Sequence, residues 1–178
     1  MRIVAGTARG RRLAAPAGEG TRPTSDKVRG SIFNILGQFF PGGRVLDLYA
    51  GTGSMALEAL SRGCASATCV EASPGAAAVI LENAEACGFA GRVTVVRRRV
   101  EAALPALLAD SFDLAFVDPP YDEGPGVALA SLDRVLRAGA TVVAEHDRRS
   151  PTPDRVGALL VVDRRSYGDT GISIYRRE

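Results

Sequence analysis

Asp118-Pro119-Pro120-Tyr121 closes the apolar run FDLAFV, and its residue types suit one particular chemistry. An exocyclic amine on a nucleobase delocalises its lone pair into the ring and becomes nucleophilic only as the nitrogen pyramidalises. Two hydrogen-bond acceptors on its N–H groups favour that change. The Asp118 carboxylate and the Pro119 backbone carbonyl can supply them, and the double proline with Pro120 removes N–H donors and stiffens the loop. Tyr121 adds a ring on which a base can stack once it has been extruded from its neighbours, at a cost of about a few kcal/mol.

A second stretch, RVLDLYAGTGSMALEAL from Arg44 to Leu60, reads as buried strand, tight loop and helix. Gly51 and Gly53 let the backbone approach a ligand closely, and a helix beginning at Ser54 points its free N–H groups into the same space. The run Gly51-Thr52-Gly53-Ser54-Met55-Ala56 formally matches the weak dinucleotide fingerprint. Asp47 argues against a pyrophosphate, which it would repel, and for an ammonium, which it would hold. The next strand, SATCVEAS, ends in Glu71, an acid about 20 residues on that accepts from ribose hydroxyls. A ligand with an ammonium and a ribose is therefore expected, and the Asp47 and Glu71 pair resembles the first two motifs of class I methyltransferases, whose cofactor is S-adenosyl-L-methionine.

The rest of the composition narrows the alternatives. A chain of 178 residues suits one domain, and a mean hydropathy of +0.06 with 46% hydrophobic residues describes a globular protein. No run approaches the roughly 18 apolar residues of a membrane span, and MRIVAGTARGRR lacks a signal-peptide core, so the expected location is cytoplasmic. Cys64, Cys69 and Cys87 show neither C-x-x-C nor histidine-rich spacing; they read as small hydrophobes, with no disulfide framework and no metal site expected. None of them lies in the Asp118 loop, where cysteine-dependent cytosine C5 methylation would need a thiol. His146, the sole histidine, reads as a solvated residue just beyond a strand, and no serine triad can be assembled around it.

Stepping outward from the site, the elements that must position it alternate from Arg44 onward. Strands are predicted at 44–48, 66–71, 92–97, 112–117 and 140–145, and helices at 54–62, 74–87, 100–109 and 125–137. This is the pattern of an α/β, Rossmann-like, doubly wound and mostly parallel sheet, in which the first and fourth strands flank the ligand crevice. ALLVVDRRSY and ISIYRRE, joined by Gly168 to Gly171, predict a C-terminal antiparallel hairpin.

Residues 1–40 form an N-terminal extension to a domain spanning 41–178. RIVAGTARGRRLAAP predicts a β-hairpin, and TRPTSDKVRGSIFNIL predicts a helix capped by Thr24 or Ser25. Residues 1–30 hold seven basic groups (Arg2, Arg9, Arg11, Arg12, Arg22, Lys27 and Arg29) against Glu19 and Asp26, a net of +5 that leaves −3 for the rest of a +2 chain. A basic arm on a slightly acidic body is expected to grip phosphate.

Taken together, RIVAGTARGRRL, TRPTSDKVRGSIFNIL, DLYAGTGSMALEALSRG, VEAS, FVDPPY and YGDTGISIY resemble the bacterial RsmD type of methyltransferase nearly end to end. That resemblance implies methyl transfer from S-adenosyl-L-methionine to N2 of a guanine in small-subunit ribosomal RNA, as naked RNA or in a particle. It places the cofactor on Asp47, Tyr49, Ala50, Gly51, Thr52, Gly53, Glu71, Ala72 and Val100, and the guanine amine on Asp118 and Pro119 with Pro120 and Tyr121 beside them. Arg9, Arg11, Arg12 and Arg22 of the basic arm are the expected RNA contacts. DPPY is shared with adenine and cytosine amine enzymes, so it specifies the chemistry and not the base. The chain departs from the family pattern at Gly30, where relatives usually carry an acid. It departs again at Arg97-Arg98-Arg99-Val100, where they carry Asn or Asp before a small residue; Arg99 cannot accept from an adenine amine, which leaves the backbone of Val100 for that contact.

Overall fold

In a computed structural model, which describes residues 1–16, 26–37, 40–120 and 122–178, the alternating segments build one eight-stranded sheet. Helix α1 (Asp26–Leu36) precedes β1 (Arg44–Leu48), α2 (Ser54–Ser61), β2 (Ser66–Val70), α3 (Pro74–Ala86) and β3 (Val93–Val96). Then follow α4 (Val100–Ala103), β4 (Phe112–Val117), α5 (Gly126–Leu132), β5 (Leu136–Asp147), β6 (Arg155–Val156), β7 (Leu159–Tyr167) and β8 (Thr170–Arg177). The strand order is β3-β2-β1-β4-β5-β8-β7-β6, parallel from β3 through β5 and antiparallel beyond. Strand β8 slots between β5 and β7, so the predicted terminal hairpin completes the sheet; the two-residue β6 was not foreseen.

Alternation along β1 explains how the two faces are used. Val45 turns to a core shared with α1, α2 and α3, whereas Leu46 and Leu48 turn to a core shared with α4 and α5. Asp47 falls on the Val45 face, beneath α2. Two predicted helices come out shorter than their apolar patterns. The 100–109 helix is a single turn followed by a 3₁₀ turn at Leu104–Ala106, because Pro105 has no N–H to continue the ladder. The 125–137 helix ends at Leu132, and after a 3₁₀ turn Leu136 already pairs with Phe112, so β5 begins four residues earlier than expected.

The N-terminal extension is no free arm. Its hairpin contracts to one antiparallel bridge, Arg2 with Arg12, around a loop that docks on α2. Ile3, Ala8, Leu13, Ile32 and Phe33 all lie in the same core as Val45 and Leu57. Gly6 explains the close docking: its φ is +82°, and a Cβ there would sit 1.8 Å from the Ser61 carbonyl oxygen. Arg29, counted above with the basic arm, is fully buried and takes part in no RNA-facing surface. The caps expected of Thr24 or Ser25 lie outside the described residues. Gly30 occupies a helix interior where an added Cβ meets only Val4 Cγ1, at 3.6 Å. Gly30→Ala should therefore stabilise the protein by about 0.5–1 kcal/mol, read as a rise in the midpoint of denaturant unfolding.

Candidate active site

Strand β1 lies between β2 and β4, so the loops leaving β1 and β4 open on opposite sides of the point where sheet growth reverses, the crevice in which such sheets bind ligands. The β1 loop is tightly wound. Tyr49 has φ +61°, Gly51 +55° and Gly53 +74°, a run of left-handed residues that favours glycine at the two positions nearest α2. At Gly53 a Cβ would come within 3.1 Å of Ile80. The Ala50 N–H donates to the Val70 carbonyl (3.1 Å) and the Gly53 N–H to the Ala50 carbonyl (2.7 Å).

Glu71, just past β2, braces this loop. Its Oε2 accepts from the Gly51 N–H at 2.9 Å, and its Oε1 accepts from the Ser73 N–H at 2.8 Å. Ser73 in turn caps α3 by accepting from the Ala76 N–H. A carboxylate has about four acceptor directions, so two donors still leave capacity for ribose hydroxyls. Ala72, next along, is exposed, and Thr52 is held from below by Asn83 Nδ2, which donates to its carbonyl at 3.0 Å.

Asp47 is almost wholly buried beneath α2, where its Oδ2 accepts from the Ala56 N–H at 3.1 Å. Burial pushes its carboxyl up to about 8, the Ala56 bond opposes the rise, and the like charges of Asp118 and Glu71 add to it. Three acids at or just beyond the ends of β1, β2 and β4 thus lie close enough to repel one another, and an entering cation would relieve that repulsion where a phosphate would add to it.

Asp118 stands at the opposite rim. The residue is exposed, yet protein atoms crowd its carboxyl on most sides; burial and then the like charge of Glu145 push it up to about 7. The space around it is a small open crevice, walled by Pro119 and Pro120 on its own loop and by Glu145 and His146 from the end of β5.

Neither Glu145 nor His146 was marked by the sequence as lining this crevice, and His146 is not the solvated residue expected. The His146 ring is held, with Nδ1 2.8 Å from the Asp147 carbonyl and Nε2 2.9 Å from Ser173 Oγ. A carbonyl only accepts, so in the neutral ring Nδ1 carries the proton and Nε2 accepts from Ser173. Gly171 makes room for it: a Cβ there would lie 2.3 Å from the ring. The signal for both residues was the β5 strand itself, since in a doubly wound order its carboxyl end must lie beside that of β4.

The remaining expected residues are scattered as follows. Val100 is buried at the first position of α4, and Arg99 turns outward to Glu101 and Glu123, each at 3.5 Å. Arg9, Arg11 and Arg12 are exposed on the docked N-terminal loop. Tyr121 and Arg22 lie outside the described residues. All three cysteines are free and buried, with the Cys64 thiol pushed up to about 12 by burial. Among the described residues no cluster of His, Cys, Asp or Glu could hold a metal ion, and no helix is long and apolar enough to cross a membrane.

The high Asp47 value has a measurable consequence. In the unfolded chain an aspartate ionises near 3.9, so between about pH 4 and 8 the folded protein binds more protons than the unfolded one. The Asp47 contribution to stability is thus fully present below pH 4 and is lost as pH rises through 8. Asp47→Asn keeps an oxygen to accept from Ala56 and cannot ionise. Thermal unfolding of the free variant should show a shallower loss between pH 4 and 8 than wild type, and at pH 8 the variant should be the more stable by at least about 1.4 kcal/mol. Parallel pH profiles would show that Asp47 is ordinarily ionised.

Known proteins resemble this chain along its length. A family model described as "Conserved hypothetical protein 95" matches residues 1–176. The Bacillus subtilis protein YlbH, whose own assignment as an rRNA methyltransferase is provisional, is 40% identical over 99% of this chain and 99% of its own length. Ribosomal RNA small subunit methyltransferase D of Escherichia coli is 38% identical over 70% of this chain and 62% of its own length. The solved structure of Escherichia coli yhhF superposes with a TM-score of 0.85 at 30% identity, covering 100% of this chain and 98% of that one. With its sheet order, its glycine loop and its whole length accounted for in this way, the chain belongs to the RsmD-type family of methyltransferases.

Proposed function

We propose that the protein transfers a methyl group from S-adenosyl-L-methionine to the N2 amine of a guanine in small-subunit ribosomal RNA. The observation that carries this reading is the closeness of Asp47, Glu71 and Asp118 at the carboxyl ends of β1, β2 and β4, near enough for the charges of the latter two to raise the Asp47 carboxyl. The cofactor supplies an electrophilic methyl on a sulfonium, and the residues present suit it. Asp47 would hold the ammonium, Glu71 the ribose, and the backbone from Tyr49 through Gly53, with Ala72 and Val100, the remainder. On the acceptor side, the Asp118 carboxylate and the Pro119 carbonyl accept from the two amine N–H groups as the nitrogen pyramidalises, and Asp118 is placed to take the proton that the methylated amine sheds. Its elevated value, near 7, suits a base that must receive and then release a proton at neutral pH. The names of the relatives support ribosomal RNA as the substrate.

The decisive experiment maps methylated nucleosides in small-subunit RNA with and without the protein, using mass spectrometry to identify the product. N2-methylguanosine is expected. N6-methyladenosine or N4-methylcytidine would sink the guanine assignment and keep amine chemistry, and an absence of methyl transfer by a folded, RNA-binding protein would leave an assembly factor.

The exposed Arg9, Arg11 and Arg12 would hold RNA phosphates on the docked loop. Replacing all three by alanine should weaken RNA binding and reduce its counterion-release slope by a little under one per lost phosphate contact. Affinity for the cofactor should not change. A wild-type salt slope in the triple variant would reduce these arginines to a solvated surface.

A further inference from the structure

Glu145 lines the crevice that holds Asp118, and neither the cofactor loop nor the amine chemistry uses it. The register of β4 and β5 shows how it gets there. Phe116 pairs with Val143 and Val117 with Ala144; Asp118 and Glu145 are the next residue of each chain beyond that last pair, and both line the same crevice. The two carboxyl groups are near neighbours there, close enough for the charge of Glu145 to act on Asp118. The ring of His146 is fixed by Ser173 and Asp147, and this anchors the end of β5 from which Glu145 projects.

We infer that Glu145 is a specificity-determining residue that accepts a hydrogen bond from the ring N1–H of the target guanine, beside the amine held by Asp118. This rests on the proposed guanine-N2 reading and gives it a physical basis. An extruded base is read on its Watson–Crick edge. On guanine that edge presents the amine next to a second donor, N1–H. Adenine and cytosine present theirs next to an unprotonated ring nitrogen, which is an acceptor. An ionised carboxylate only accepts. A second carboxylate alongside Asp118 therefore matches three N–H donors in a row and confronts adenine or cytosine with facing lone pairs. A DPPY loop alone selects amines; Glu145 selects the neighbour of the amine.

The test offers wild type, Glu145→Gln and Glu145→Asp two RNAs: one with guanine at the mapped target and one with 2-aminopurine there. 2-Aminopurine keeps the N2 amine but its N1 is an acceptor. Wild type should prefer guanine by roughly tenfold or more in kcat/KM, the scale of one well-placed base contact. In Glu145→Gln the amide can donate to N1 of 2-aminopurine, so the preference should collapse or invert. Glu145→Asp keeps the charge and should keep the preference for guanine at a lower rate. Both RNAs meet the same variant, so any loss of folded protein cancels in the ratio. An unchanged ratio in Glu145→Gln, or an inverted one in Glu145→Asp, overturns the assignment of Glu145 while guanine-N2 methylation stands. Wild-type product on the amine of another base in the natural RNA overturns the parent reading, and this one with it.

Discussion

Asp118→Ala should keep its fold and most of its cofactor affinity and slow single-turnover methyl transfer by roughly a hundredfold or more, the scale seen when one preorganised electrostatic partner is removed. The carboxyl belongs to no structural network in the described residues. It lies at the crevice rim, beyond the last residue of β4, and its loss opens no cavity in either core. What it contributes grows along the reaction, since the amine N–H becomes a stronger donor as positive charge builds on nitrogen. The loss should therefore fall on the rate of the bound complex, with little change in RNA affinity. Asp118→Asn divides the contribution further: its amide oxygen still accepts, but it cannot take the proton. Partial activity in Asn would assign most of the effect to hydrogen bonding, and activity as low as in Ala would assign it to the charge and the proton. Removing Asp118 should also let Asp47 ionise more readily, because the two charges oppose each other across the crevice. Rates at wild-type level in Asp118→Ala would sink the mechanism.

The legible part of this site was local. Apolar runs of four to six residues read correctly as the five parallel strands, the positive-φ loop announced itself through Gly51 and Gly53, and FVDPPY carries its chemistry in consecutive residues. Partnerships across long chain separations were not legible. Glu145 becomes a neighbour of Asp118 only once β5 is laid against β4 in register, and the sequence pattern marked it merely as the end of a strand. Helix lengths were overread where apolar spacing continued past a physical stop, Pro105 in one case and the pairing of Leu136 with Phe112 in the other. The N-terminal arginines show the clearest failure. Composition treats them as one basic arm, yet Arg9, Arg11 and Arg12 face solvent while Arg29 is sealed in the core. Nothing in a charge count distinguishes a solvated arginine from one whose partner, Glu58, lies 29 residues further along.

That buried cluster leads to the second large effect. Glu58 is fully buried on α2, and its carboxylate accepts from the Val4 N–H at 2.7 Å, the Ala5 N–H at 3.0 Å and Arg62 Nε at 2.7 Å. Arg29 Nε lies 3.5 Å from Glu58 Oε2, close enough for charge attraction without an aligned hydrogen bond. Arg29 also donates to Asp26 Oδ1 and to the Arg2 carbonyl, and the Arg62 guanidinium lies 4.7 Å from the Phe33 ring centre. One carboxylate thus joins the N-terminal loop, α1 and α2. Glu58→Ala would strip two backbone N–H groups of their acceptor and leave two buried guanidinium groups without their shared counter-charge. Breaking a buried pair by removing one partner costs about 3–5 kcal/mol, which for a chain of this size lowers the unfolding temperature by roughly 10 °C. The loss should begin locally, because once Glu58 is gone the loop is held on α2 chiefly by Ser61, whose carbonyl accepts from the Thr7 N–H and whose hydroxyl accepts from the Ala8 N–H and donates to the Ala5 carbonyl. Trypsin should therefore cut at Arg9, Arg11 and Arg12 in the variant below its melting temperature and spare them in wild type. The glycine loop should feel the release, since Asn83 donates to both the Ala14 and Thr52 carbonyls and so ties the N-terminal segment to the proposed cofactor site. Glu58→Gln, which keeps an acceptor oxygen and loses the charge, should fall between wild type and Ala on both measurements. A Glu58→Ala protein that melts within a degree or two of wild type and resists trypsin at the three arginines would show that hydrophobic burial of Ile3, Ala8 and Leu13 holds the segment without the ion cluster.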